Sequence, residues 1–346
     1  MNMKPFRILI LCLLLLTATF LIEARCSAQA FCALRDPTAK IYESYPTATS
    51  YRSLVRTVDE NIRQQVAREL PFNIHFNELG RHTLYLAVKE SQPVGLVHAR
   101  SEAGNWGLTE IVWSLTPNLT VEDFSFQRCR SRKRSDVETA EFKRQLQGKS
   151  FRDLKQMLNA NGTDIVGDKL KIGSESRELA AMVVRSALKT ILVSKLAWAK
   201  ELSIIQPLYF ARAAFDSVAV VEKVEGPYTN NVLQEFSQHF KTGGKPGQFN
   251  IKRDEVLLLL CSDKNNKPLG YVVRTPWKSM NTEMLLWWTI RNDNVVKDVV
   301  AADGWPDEKS KKAFQAAIGL ASDQFHKCST AAELSGAEVL LLCKHN

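Results

Sequence analysis

Gly173-Ser174-Glu175-Ser176-Arg177 sets two hydroxyls and a guanidinium beside a glycine, at the head of a long apolar-faced segment, Glu175–Lys200. A helix starting there leaves its first backbone N–H groups without intrahelical partners and turns its positive dipole end outward, which suits a phosphate or another anion. Arg177 could add charge-assisted hydrogen bonds. The same residues also suit an ordinary capped helix, with Ser174 as N-cap and Arg177 in solvent. A second polar knot, Phe76–Thr83, holds Glu78, Arg81 and His82, residue types able to exchange protons but common in plain turns. No G-x-S-x-G, paired-carboxylate or Ser/His/Asp pattern accompanies them, so hydrolysis is not expected. The six histidines are scattered and the cysteines show no C-x-x-C spacing, so no metal site is expected either.

The elements that must position these residues follow from periodicity. Segment 49–70 carries Leu54, Val55, Val58, Ile62, Val66 and Leu70 on one helical face, and Pro71 ends it. Strands are expected over 83–88, 94–100, 109–115 and 120–127, with polar turns between them, an antiparallel meander. Short helices over 136–146 and 151–158 and a glycine-bearing loop, Gly162–Gly173, lead to the Glu175–Lys200 helix. A second meander is expected over 255–261, 267–274, 283–290 and 295–301. It is preceded by a strand at 219–225, a helix at 231–240 and a flexible turn at Thr242–Gln248. A helical stretch, 307–329, and a closing strand, Glu338–Cys343, complete the chain.

Residues 92–127 are echoed at 267–302 with an offset of about 175. Pro93 falls on Pro268, Gly95 on Gly270, Trp113 on Trp288, Val121 on Val296 and Asp123 on Asp298. A repeat of this length exceeds a solenoid period and implies two related domains in tandem. Their boundary lies between 198 and 218, and the organisation reads as 1–30, 31–200 and 201–346.

The first half resembles the FMN-binding domain family, the periplasmic flavin domains of ion-translocating electron-transport complexes and their relatives. The resemblance covers about residues 40–195 and is carried by Tyr45-Pro-Thr-Ala48, Gln92-Pro-Val-Gly95, Gly104–Gly107, Asn118–Val121 and Phe142–Lys149 (FKRQLQGK). It implies an α+β fold: two FMN-binding-like domains, each a curved antiparallel sheet with helices on one side, the second half repeating only the central part. It also implies FMN as cofactor and a role in electron transfer with a redox partner protein or membrane complex. The family's S/T-G-A-T motif, whose threonine can carry FMN covalently, is matched here by Lys171–Arg177, with Gly173 near the acceptor position and Ser174 the nearest hydroxyl. Ser335-Gly-Ala-Glu338 matches the motif with glutamate for threonine. Flavin is therefore expected to be held non-covalently, by Gly173, Ser174, Ser176 and Arg177, with Trp106 as the stacking candidate. Trp113 has a counterpart in the second repeat and reads as core. The competing expectation is a non-catalytic binding or scaffold protein that kept this fold and lost the flavin.

Residues 1–30 read as a secretory signal: Lys4 and Arg7, an apolar run over Ile8–Ile22, then Ala28 and Ala30 as A-x-A. The alternative is a retained anchor, either way facing the periplasm. Its removal takes a net +2 from the overall +9, leaving +7. Of seven cysteines, five remain (Cys32, Cys129, Cys261, Cys328 and Cys343), an odd number of which some can pair in an oxidising compartment. The run Arg128–Arg134 is the densest positive stretch. Export and the lack of aromatic interleaving argue against nucleic acid. A solvated loop, an acidic partner or a membrane surface remain.

Overall fold

The computed structural model describes residues 32–346, apart from 91, 240, 243–244, 247–254, 280–281, 322–323, 325–327, 329–330 and 346. The expected signal segment lies outside the described residues, as does much of the 242–248 turn. The protein is a mixed helix-and-sheet chain built on two antiparallel five-stranded sheets. The first half runs α1 (Pro37–Ser44), β1 (Ser50–Val58), α2 (Glu60–Glu69), β2 (Gly80–Lys89), β3 (Gln92–Gly104), β4 (Gly107–Leu115), β5 (Val121–Arg128), α3 (Arg134–Val137), α4 (Ala140–Leu146), α5 (Phe151–Lys155) and α6 (Arg177–Ala197). The second runs α7 (Ala199–Ala214), β6 (Val220–Lys223), α8 (Asn230–His239), a two-residue ladder of β7 (Lys241–Thr242) with β8 (Lys245–Pro246), β9 (Leu257–Ser262), β10 (Pro268–Ser279), β11 (Thr282–Arg291), β12 (Val296–Ala301), α9 (Glu308–Gln315) and α10 (Ala331–Lys344).

The sheet orders are β1-β2-β3-β4-β5 and β6-β9-β10-β11-β12, one meander written twice. The offset of 175 holds residue by residue across the inner strands. Trp113 faces His98 and Phe124, and Trp288 faces Val273 and Val299. Both sheets break register between the proline and the glycine of the P-x-G pair, and again at Ser114/Leu115 and Thr289/Ile290. Proline has no N–H for the ladder, which places a bulge there. The β4–β5 and β11–β12 turns match too, with Leu119 (φ 63°) opposite Asn294 (φ 57°) in left-handed backbone. Asparagine tolerates that conformation, whereas for leucine it costs about 1–2 kcal/mol.

The correspondence reaches further than the sequence repeat. Each half opens with a helix whose C-cap aromatic, Tyr45 or Phe215, packs on the bulge glycine. A Cβ on Gly95 would lie 1.9 Å from the Tyr45 ring, and one on Gly270 would lie 2.6 Å from that of Phe215. Each sheet is thus covered on both faces, not on one. α6 lies over one face of the first sheet, and Ile41, Tyr45 and Ala48 pack against Ala87, Val97 and Val112 on the other. In the second half, Val339–Cys343 of α10 joins the core of one face. α7 covers the other, with Phe210 stacked on Trp287 at 4.5 Å.

Three expectations are corrected. Residues 50–58 form a strand, because Tyr51, Val55, Thr57 and Val58 suit a pleated edge and Asp59 caps a separate helix by accepting from the Ile62 N–H. Residues 338–343 lie in α10, since a short apolar run fits a helix buried all round as well as a strand. The long helix ends at Ala197, and α7 follows at once, carrying Pro207 in its interior.

Candidate functional site

The head of α6 is a single 3-10 turn, Ser174–Ser176, with Gly173 before it in extended backbone. Gly173, Ser174 and Glu175 are exposed. The N–H groups of Ser176 and Arg177 are already bonded to the carbonyls of Gly173 and Ser174, so those of Ser174 and Glu175 open the turn. Two segments distant in sequence meet this head. The β3–β4 hairpin tip arrives from one side: Asn105 Nδ2 donates to Glu178 Oε1 at 2.6 Å, and Gly104 backs on Met182. The tip holds Trp106 at 61% exposure, the most exposed tryptophan among the described residues with large apolar side chains. The basic run arrives from the other side, where Lys133 pairs with Glu175. Within that run Arg128 faces Glu110 at 3.7 Å and Arg134 bonds Glu138 at 2.6 Å, whereas Arg130 and Arg132 are exposed and enter no ion pair among the described residues.

Two of the predicted ligands point elsewhere. Ser176 is buried and its hydroxyl donates to Asp136 Oδ2 at 2.5 Å. The Arg177 guanidinium clasps the preceding loop, donating to Asp164 Oδ1 and the Gly167 carbonyl, both at 3.3 Å, and to the Ile165 carbonyl. The Ile165 N–H, together with the Arg177 guanidinium, holds the Asp164 carboxyl below its ordinary range. The structure therefore brings Gly173, Ser174 and Trp106 to one surface and turns Ser176 and Arg177 into its support. Ser335-Gly-Ala-Glu338 sits inside α10 with Ser335 and Glu338 buried, so it forms no helix head.

Beneath this surface the first half contains a row of ionisable groups that periodicity did not reveal. His98, Arg100 and Glu102 alternate along β3 on the face covered by α6, and all are buried. Lys189 of α6 reaches Glu102 at 2.8 Å and Glu78 at 3.7 Å. Arg100 Nε approaches Glu78 Oε2 to 3.0 Å, close enough for an ion pair but off the hydrogen-bond line, so both atoms lack a hydrogen-bond partner. Glu78 and His82, from the polar knot, join this row, while Arg81 faces solvent.

The histidines form a directed chain. A carbonyl can only accept, so His82 Nε2 donates to the Glu78 carbonyl at 2.7 Å. Its Nδ1 then accepts from His98 Nε2 at a long 3.5 Å, and His98 Nδ1 accepts from the Ser194 hydroxyl at 3.0 Å. Both rings are neutral. Burial, reinforced by the Arg100 charge, lowers His82 to about 4, and burial and His82 push His98 well below its ordinary value. Trp113 is core, as expected, its indole N–H bonded to Ser186 at 3.0 Å.

All five described cysteines are free, and burial pushes the thiols of Cys32 and Cys261 up to about 11 and about 12, so neither is a ready nucleophile. Among the described residues no cluster of three His, Cys, Asp or Glu could hold a metal ion, and no helix is long and apolar enough to cross a membrane. No protein-family model matches the chain, and comparison with curated proteins gives no match.

Proposed function

We propose that the chain is an exported flavin-binding protein that holds FMN non-covalently at the head of α6 and exchanges electrons with a partner protein or membrane complex. One observation supports this above the others. The α6 head, the Trp106 hairpin and the Arg128–Arg134 run, far apart in sequence, meet on one surface. In this reading Trp106 stacks on the ring, the N–H groups of Ser174 and Glu175 take the phosphate, and Arg130 and Arg132 supply charge. Arg177 is a positioning residue that fixes the loop before the helix. FMN, when bound, supplies the redox chemistry, and the chain binds and orients it. Ser174 is the nearest hydroxyl to the acceptor position, but no threonine stands there, so the linkage is non-covalent.

A second reading is favoured by a specific observation. Glu175, Glu178 and Asp136 surround the same head, and carboxylates repel a phosphate, while Ser176 and Arg177 already have partners. That arrangement suits a non-catalytic binding or scaffold protein that kept the fold without the flavin. The absorption spectrum of the purified protein before and after denaturation, with a titration of FMN fluorescence, decides between them. Flavin bands lost with the fold, and a three- to ten-fold weaker FMN affinity in Trp106→Ala, about what one aromatic stack contributes, are expected. No quenching of FMN by the wild type would leave the scaffold reading standing.

A further inference from the structure

We propose that the cleft between the two halves is a separate binding site for an organic anion with an apolar body and a terminal phosphate or carboxylate. It lies at the far end of α6 from the Trp106 surface, about 20–26 Å along the helix at 1.5 Å per residue from Glu178 to Ile191 and Lys195, and goes beyond the flavin reading. The cleft has two lobes that share Gln65, Lys195, Leu196 and Asp303. One, of about 420 Å³, is walled by Leu119, Leu196, Leu202, Leu285 and Ala302. The other, of about 590 Å³, is ringed by Arg68, Arg152, Lys155 and Lys195 against Glu69 and Asp303. These volumes and this mixture of apolar wall with a few polar groups, placed between domains, are those of small-molecule sites.

The charges are unbalanced in a way that calls for an anion. Lys195 is paired with Asp303 at 2.6 Å, and Lys155 donates to the Glu69 carbonyl at 2.7 Å. Arg68 and Arg152 have no carboxylate partner among the described residues, and neither has Arg274 in the apolar lobe. The Arg274 Nε is buried without a hydrogen-bond partner, and burial lowers its pKa, the mark of a desolvated cation. Asn118, nine-tenths buried, lines the same lobe, and its Oδ1, an acceptor without a partner, would take an N–H or O–H of a ligand's body rather than its anionic head. Its neighbour Leu119 adopts left-handed backbone where the second half has asparagine, and so presents a leucine side chain at the apolar wall. Strain of this kind gathers at functional sites. An anion paired with Arg274 in one lobe or Arg152 in the other would supply a missing counter-charge, and its body would cover the leucines.

The probe is 1-anilinonaphthalene-8-sulfonate, titrated into the purified protein and then displaced by dodecyl phosphate, dodecanoate, dodecanol or dodecyltrimethylammonium. Saturable binding is expected, displaced by the two anions about ten-fold more effectively than by the alcohol or the cation, a preference of the size one charged hydrogen bond confers. Whichever anion displaces better identifies the head group. Arg152→Gln or Arg274→Gln should weaken the anions about five-fold or more by the same reasoning, the affected one marking the lobe that holds the head group, and Trp106→Ala should not. Ser203→Trp, an exposed position on the apolar lobe, should block the probe without touching the core. Equal displacement by the cation, or unchanged affinity in both arginine variants and in Ser203→Trp at wild-type melting temperature, would overturn the proposal. FMN carries an apolar ring and a terminal phosphate too, so it is titrated in Trp106→Ala and Ser203→Trp as well: loss in Trp106→Ala alone assigns FMN to the α6 head and loss in Ser203→Trp alone assigns it to the cleft, so either assignment can fail alone.

Discussion

Two neutral histidines stacked edge-on in the first half, 5.7 Å apart, make the protein sensitive to acid. Around them stand Glu78, Arg100, Glu102 and Lys189, with Ser194 and Trp198 packed on His98. His82 titrates near 6.5 when unfolded and at about 4 when folded. Between those values the unfolded chain binds the extra proton, so stability is intact above pH 6.5 and declines as pH falls towards 4. The loss from His82 alone is about 3 kcal/mol at 1.4 kcal/mol per pH unit. His98 adds in the same direction. Glu102, raised by burial, opposes them because its protonation relieves a buried charge. Urea midpoints at pH 7, 5.5 and 4.5 should fall steeply in the wild type and more gently in His82→Gln/His98→Gln. An identical slope in that variant would mean the acid sensitivity arises elsewhere.

At the scale of elements, the bulge glycines test how each sheet is clamped to the helix that opens its half. In Gly95→Ala the new methyl meets the Tyr45 ring, whose hydroxyl is held by the Leu115 carbonyl at 2.7 Å and cannot swing away freely. A destabilisation of about 1–3 kcal/mol is expected, as for overpacking in general. Gly270→Ala should cost more, because φ is 148° and the Cβ would lie 2.1 Å from the Ile290 carbonyl. Thermal melts of the two variants check the ranking. This clamp was half visible in the sequence. The P-x-G pairs and both meanders could be read from alternation and turns, but Tyr45 and Phe215 sit 170 positions apart, off the 175 spacing, and share no residue type. β1 was hidden because Leu54, Val55 and Val58 satisfy both a helical and a strand period. The site was legible in part. Glycine and hydroxyls at a helix head announced themselves, but Arg177 finds its partner in a loop thirteen residues back, which no local pattern encodes. The β3 row of His98, Arg100 and Glu102 alternates as the solvent face of a strand would, and only the helix packed over it, whose Lys189 lies 87 residues beyond Glu102, makes it interior.

Over the whole molecule, Arg56 pairs with Glu201 of α7, and a second set of described bonds between the halves gathers at one glycine. Gly304 has φ 90°, and a Cβ there would lie 2.0 Å from Ser150 Oγ. Beside it Arg152 N donates to the Asp303 carbonyl at 3.1 Å, and Gln156 Nε2 donates to that of Pro306 at 3.3 Å. Gly304→Ala should loosen this seam while leaving each sheet intact. Amide exchange at Arg152 should quicken by about ten-fold or more, the signature of a local opening, with Val97 unchanged. Comparable acceleration at both would indicate global destabilisation instead. The repeated register also shows where the two halves differ chemically. Where the first half has His98, Arg100 and Glu102, the equivalent positions of the second hold Val273, Thr275 and Trp277, and its covering helix offers Leu340, Leu341 and Leu342 in place of a lysine. At those strand positions the second half closes the same meander with two apolar side chains and one hydroxyl, and Ser335 and Glu338 are the polar groups its covering helix buries. Architecture makes no demand for the ions of the other copy, since such groups can be exchanged for well-packed apolar ones without loss of fold. The two halves thus keep one register while meeting different chemical demands, and the ions of the first mark a demand that the meander itself does not impose.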